Sequence, residues 1–240
     1  KKKKMEFKNK TIQKKKQKNK KMKIGSGKTT LRMAIQDYLL DKPFEEVIST
    51  VENEEKWYKD NELEKPELGQ AQTIMCITEN FCNDEFDVHI TDTPGFSDPR
   101  GFEQDEKNFD SISKYVDTLQ FNAVLVAIPV TTNRNNEKLK AEISKLLELL
   151  SDDHKRNFFL VFTFSTTKPD KDTLQVIQDL GLESCRYVYM QNFHYQSNFD
   201  LSTDSIRGKF FFDDSRKAIH QLLTECSKFS VFLTSLSLFV

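Results

Sequence analysis

The sequence predicts an α/β layered domain, with a mainly parallel sheet flanked by helices. Three observations carry that expectation. Residues 123–130 (AVLVAIPV) and 158–164 (FFLVFTF) are unbroken apolar runs of strand length, as in strands covered on both faces. Between them, residues 135–150 place Leu139, Ile143, Leu146, Leu147 and Leu150 on one side of an amphipathic helix. Strand-like and helix-like segments alternate along the rest of the chain.

The elements follow in order. Residues 29–40 carry Leu31, Ile35, Tyr38 and Leu39 at helical spacing, and Asp41 with Pro43 ends that helix. Residues 43–70 are acidic and polar around Trp57 and Tyr58, and read as a loop or insertion with one short helix. Residues 73–81 and 86–91 resemble two strands joined by a turn at Asn83 and Asp84. Residues 108–119 read as a helix, and 172–180 as a short one with Gly181 as C-cap. A strand is expected at 186–190 and a closing helix at 213–228. The apolar end, 227–240, fits a terminal strand, a partner-binding tail or the stub of a longer element.

Charge divides the chain into an arm, residues 1–23, a central domain, 24–228, and a short apolar tail, 229–240. The 240 residues sum to a formal charge of −1, yet the first 23 hold thirteen lysines against Glu6 alone. Like charges and few apolar residues keep the arm out of any core. It reads as a solvated tail or as a polybasic arm touching anionic surfaces. No aromatic residue beyond Phe7 is interleaved with it, so no specific nucleic-acid partner is expected. The chain opens on Lys1, which leaves a fragment open. Cys76, Cys82, Cys185 and Cys226 have neither C-x-x-C spacing nor a histidine cluster, which argues against zinc and for a reducing compartment. With no signal-peptide pattern and no run of roughly 20 apolar residues, the expected location is cytoplasmic.

The densest motif is Gly25, Ser26, Gly27, Lys28, Thr29, Thr30. Glycine-rich backbone of this kind turns N–H groups onto a phosphate. Lys28 neutralises the β and γ oxygens, Thr29 ligates magnesium, and the following helix points its positive end at the anion. Met22 stands where the first glycine of the full G-x-x-x-x-G-K-[ST] pattern belongs, and lysines replace the apolar strand expected before the loop. The second motif is Asp92, Thr93, Pro94, Gly95 at the end of a strand. Its Asp can hold magnesium through water, and the Gly95 N–H can meet a γ-phosphate. Thr73 is the candidate third magnesium contact, with Thr78 and Thr50 as alternatives. For the base, Thr163 ends a strand, and Thr167-Lys168-Pro169-Asp170 fits T-K-x-D, with Asp170 on the guanine N1 and N2 donors and Lys168 over the ring. The site residues expected to act on the γ-phosphate are Lys28, Thr73 and Gly95.

Together these residues resemble the septin/AIG1-related branch of P-loop GTPases, a TRAFAC-type G domain. The likeness is most specific over 92–105, DTPGFSDPRGFEQD, which matches D-T-P-G-x-x-D-x-R-G-x-x-x-D. It extends to 30–39 (TLRMAIQDYL), in part to 70–76 (QAQTIMC), and to Phe162-Thr163. The resemblance spans residues 24–220. It implies a G domain atypical or truncated at its first strand, binding GTP or GDP with magnesium, hydrolysing GTP slowly, and forming a nucleotide-dependent homodimer. Phe96 occupies the place where Ras-type enzymes carry a water-orienting glutamine, and Gln104 and Asp105 lie nearby in sequence. Two other readings stand beside this one: a GTP-binding scaffold that does not hydrolyse, and an inactive relative acting through protein contacts.

Overall fold

A computed structural model describes residues 27–47, 52, 56, 59–60, 76–95, 102–116, 121–130, 136–150, 157–196, 199–229 and 236–239. The chain runs α1 (Lys28–Leu39), β1 (Ile77–Cys82), β2 (Asp87–Asp92), α2 (Phe102–Val116), β3 (Ala123–Pro129), α3 (Asn136–Leu149), β4 (Phe158–Thr163), α4 (Lys171–Asp179), β5 (Arg186–Met190), α5 (Leu201–Cys226) and β6 (Leu236–Phe239). Six strands form one sheet in the order β1-β2-β6-β3-β4-β5. Among the described strands the β1–β2 hairpin is antiparallel and every other neighbouring pair is parallel.

Side-chain alternation along the central strands builds a core on each face. Leu125, Phe159, Val161 and Val188 pack with Leu31, Ile35 and Leu39 of α1 and Ile219, Leu222 and Leu223 of α5. Val124, Val126, Ile128, Leu160 and Phe162 pack the other way, on Ile112 and Val116 of α2, Leu139 and Ile143 of α3, and Val176 and Ile177 of α4. The result is a three-layer α/β/α arrangement, the class the periodicity predicts.

Several elements depart from their expected bounds. The helix expected from 108 begins at Phe102; its first turn is polar, with Glu103 and Asp105 set against the positive end of the helix, so apolar spacing does not reveal it. The closing helix expected from 213 begins twelve residues earlier. Asp200 caps it by accepting the Ser202 N–H at 2.9 Å, and Gly208 followed by the aromatic run Phe210, Phe211 and Phe212 obscures the period. The turn at Asn83 is as read: its Oδ1 accepts the N–H groups of Glu85 and Phe86 at 2.9 and 2.7 Å. Gly181, at φ +69°, closes α4.

The apolar end, for which a terminal strand is one of three readings, puts residues 236–239 into the sheet as β6. That strand lies between β2 and β3, with Leu238 in register with Ile90 on one side and Ala123 on the other. A parallel strand of uncharged residues is at home only where both edges are paired.

Candidate functional site

The site lies at the carboxyl ends of β2 and β4, where α1 begins. Gly27 is the N-cap of α1, at φ 87° and ψ 17°. That left-handed backbone suits glycine, and a β-carbon there would sit 3.4 Å from the Thr163 side chain. Gly27 therefore leads into the helix beside the end of β4. Because α1 starts at Lys28, the N–H groups of its first turn point toward this end of the helix.

Lys28 and Asp92 meet here although 64 positions separate them in the chain. Asp92 ends β2 and is 2 % exposed. The Thr29 hydroxyl donates a hydrogen bond to its carboxylate, and the Lys28 and Arg32 charges act on it. Burial pushes the Asp92 carboxyl above its ordinary range, and Lys28 and Arg32 pull it back. Burial likewise pushes the Lys28 ammonium down, opposed by Asp92. Lys28 Nζ also lies against Gly95, so Lys28, Thr29, Asp92 and Gly95 surround one point.

No group of three or more His, Cys, Asp or Glu side chains that could hold a metal occurs among the described residues. The predicted shell is of another kind, the hydroxyls of Thr29 and Thr73 with the Asp92 carboxylate, and hard oxygens of that sort suit magnesium that keeps several of its waters. Asp92 Oδ1 is buried and has no hydrogen-bond partner. An acceptor in that condition beside the Thr29 hydroxyl fits a bound cation or its water.

The second motif is anchored from behind. Asn108 of α2, buried, donates from Nδ2 to the Gly95 carbonyl at 3.0 Å. Gln104 donates from Nε2 to Asn108 Oδ1 at 2.9 Å. Gln104, noted only as near in sequence, is thus tied to Gly95 through one amide. Sequence reading passed over Asn108, Arg32 and Glu79. Arg32 stands one helical turn beyond Lys28, and that i, i+4 spacing was the available signal.

The loop expected to face the base follows β4, beside the end of β5. Phe164, at φ 59°, turns the chain out of β4. Ser165 Oγ then accepts the Thr167 N–H at 3.0 Å and donates to the Thr167 carbonyl at 2.9 Å. Lys168 and Asp170 are exposed on this loop. Asp170 caps α4, with Oδ1 accepting the Thr173 N–H at 2.7 Å. Thr163 pairs in register with Met190, so Gln191 and Asn192 follow beside the loop. Their side-chain oxygens, Gln191 Oε1 and Asn192 Oδ1, are buried and unpartnered. Neither was singled out from sequence, where a Gln-Asn pair carries no signal of its own.

Of the other expected site residues, Thr30 lies half-buried in the first turn of α1. Thr78, an alternative magnesium contact, instead shares a hydrogen bond with the Thr91 hydroxyl at 2.8 Å. Gly25, Ser26, Thr73, Thr50, Phe96 and the lysine-rich arm lie outside the described residues. Among the described residues no helix is long and apolar enough to cross a membrane.

Fold and site together define an α/β domain in which the N-terminus of α1 faces a buried carboxylate. No family model matches the sequence, and no curated protein matches it. Among solved structures it resembles Toc33 from Arabidopsis thaliana, in a dimerization-deficient mutant, at 12 % identity. That alignment covers 82 % of this chain and 93 % of the other, with a TM-score of 0.46.

Proposed function

We propose that the chain binds GTP or GDP with magnesium in a P-loop G domain of the septin/AIG1-related kind, hydrolyses GTP slowly, and works as a nucleotide-dependent switch or assembly protein. The observation that carries the reading is the convergence of Lys28, Thr29, Asp92 and Gly95 around one point at the start of α1. Lys28 would neutralise the β and γ oxygens. Thr29 and Asp92, joined by Thr73, would hold magnesium, whose contribution when bound is to neutralise charge on the phosphates. The Gly25–Gly27 backbone would wrap the β-phosphate, and the Gly95 N–H would meet the γ-phosphate.

Guanine is favoured over adenine by the acceptors gathered at the base side. Asp170 offers a carboxylate, and the unpartnered oxygens of Asn192 and Gln191 suit the N1–H and N2–H donors of guanine. Slow turnover follows from Phe96, which has no polar atom to orient water. Gln104 is held on Asn108, one amide away from Gly95. A second subunit could complete the water-orienting set across a symmetric contact.

Calorimetry with a non-hydrolysable GTP analogue tests the reading. Lys28→Ala should abolish binding, and unchanged affinity in that variant would falsify the phosphate-site assignment. Competition among GTP, ATP and XTP tests the base: Asp170→Asn should weaken GTP and improve XTP, and Asn192→Ala should weaken GTP. A turnover assay over a wide protein concentration separates the catalytic options. Activity rising with concentration supports the dimer, whereas tight GTP binding with zero turnover throughout supports the scaffold reading.

A further inference from the structure

Arg32 is a charged side chain in the core, 6 % exposed. A guanidinium out of water is costly unless its donors are matched. Arg32 meets two carboxylates from two different strands. Nη1 pairs with Glu79 Oε2 of β1, and Nε lies 3.7 Å from Asp92 Oδ2 of β2. Helix α1 is thereby fastened to the hairpin at the residue that ends it. The two oxygens of Asp92 are unlike: Oδ2 faces the guanidinium, whereas Oδ1 is buried without a partner.

We infer that Arg32 is a positioning residue for magnesium, holding Asp92 by Oδ2 against Glu79 so that Oδ1 is presented to the metal beside Thr29. The inference rests on the nucleotide reading above and adds a residue to it. A metal-binding carboxylate is only as well placed as the group behind it, and removing such outer partners typically lowers metal affinity about 10–100-fold. The planar guanidinium can address two carboxylates at once; a lysine ammonium offers one compact charge on a flexible stem. Lys28 also acts on Asp92, but as a single ammonium whose Nζ lies against Gly95.

The test is a magnesium titration of the affinity for a non-hydrolysable GTP analogue, on the full chain, read by calorimetry with circular dichroism as the check on folding. The double variant Arg32→Gln/Glu79→Gln removes one charge of each sign, so the net charge of the site is kept. Its apparent magnesium affinity should fall about tenfold or more, while analogue binding in EDTA stays as in the wild type. Arg32→Lys keeps the charge without the fork and should fall between the two. A folded double variant with wild-type magnesium affinity overturns the inference while leaving nucleotide binding intact. Should the double variant not fold, Arg32→Lys decides: weakened magnesium dependence supports the inference and an unchanged one overturns it. A wild-type chain that binds no analogue with magnesium removes the nucleotide reading and this inference together.

Discussion

Lys28 Nζ stands 3.3 Å from the position that a β-carbon on Gly95 would take. Lys28 and the glycine of the second motif are therefore neighbours before any ligand is considered. Gly95→Ala would push the flexible end of a lysine and no backbone, so the fold should tolerate it, with a stability change within about 0.5 kcal/mol. Affinity for the triphosphate analogue should fall on the order of tenfold, ~1.4 kcal/mol. Calorimetry and urea unfolding on the same variant check both halves. Equal affinity in a stable variant would show that Lys28 can leave Gly95 freely.

Gly208 lies inside α5, where alanine would ordinarily gain about 1 kcal/mol of helix propensity. Here a β-carbon would fall 2.5 and 2.6 Å from Phe199 ring atoms and 2.9 Å from Phe44 Cζ. Gly208→Ala is expected to lower stability by roughly 1–3 kcal/mol through overpacking. Adding Phe199→Leu should recover part of the loss. Denaturant unfolding decides it, and a stabilised Gly208→Ala variant would refute the aromatic packing around α5.

His194 is 2 % exposed, with rings of Phe44, Tyr195 and Phe212 around it and no partner for Nδ1. Burial pushes its pKa from 6.5 down to about 4. Between those values the unfolded chain takes up a proton that the folded chain refuses. The stability linked to His194 is thus whole above pH 6.5 and is lost as pH falls through about 4, amounting to about 3 kcal/mol. His194→Phe should flatten the stability profile between pH 6.5 and 4. Thermal melts across that window give the comparison, and parallel curves for the two proteins would rule out this origin of acid sensitivity.

The tail strand yields a test of topology. Leu238 lies in register with Ile90 and Ala123, so proline there would interrupt a ladder inside the sheet. Leu238→Pro should cost about 3 kcal/mol or more and speed hydrogen exchange in 88–91 and 123–124. An appendage outside the sheet would give no change in either measurement.

Much of the site was legible because its residues lie in short contiguous motifs. A phosphate loop must be local, since successive N–H groups have to face one anion, and Gly27, Lys28 and Thr29 therefore stand together. The same holds for Asp92 and Gly95. Residues that support these groups obey no such constraint. Arg32 reaches Glu79 across 47 positions, and Asn108 reaches Gly95 across 13. Gln191 and Asn192 come beside the base loop only because β5 pairs with β4.

By itself the sequence determined the alternation of strands and helices, the two-faced burial of residues 123–130 and 158–164, and the phosphate and carboxylate motifs. Periodicity and local backbone chemistry act over a few residues and can be read from order alone. Tertiary structure decided which segment fills the middle of the sheet. The lysine-rich stretch before Gly25 has the connection but not the apolar side chains, whereas 236–239 has the side chains and lies more than 200 positions away. Strand pairing selects for a buried, uncharged edge on both sides irrespective of chain position, so the tail was the segment that could lie between β2 and β3.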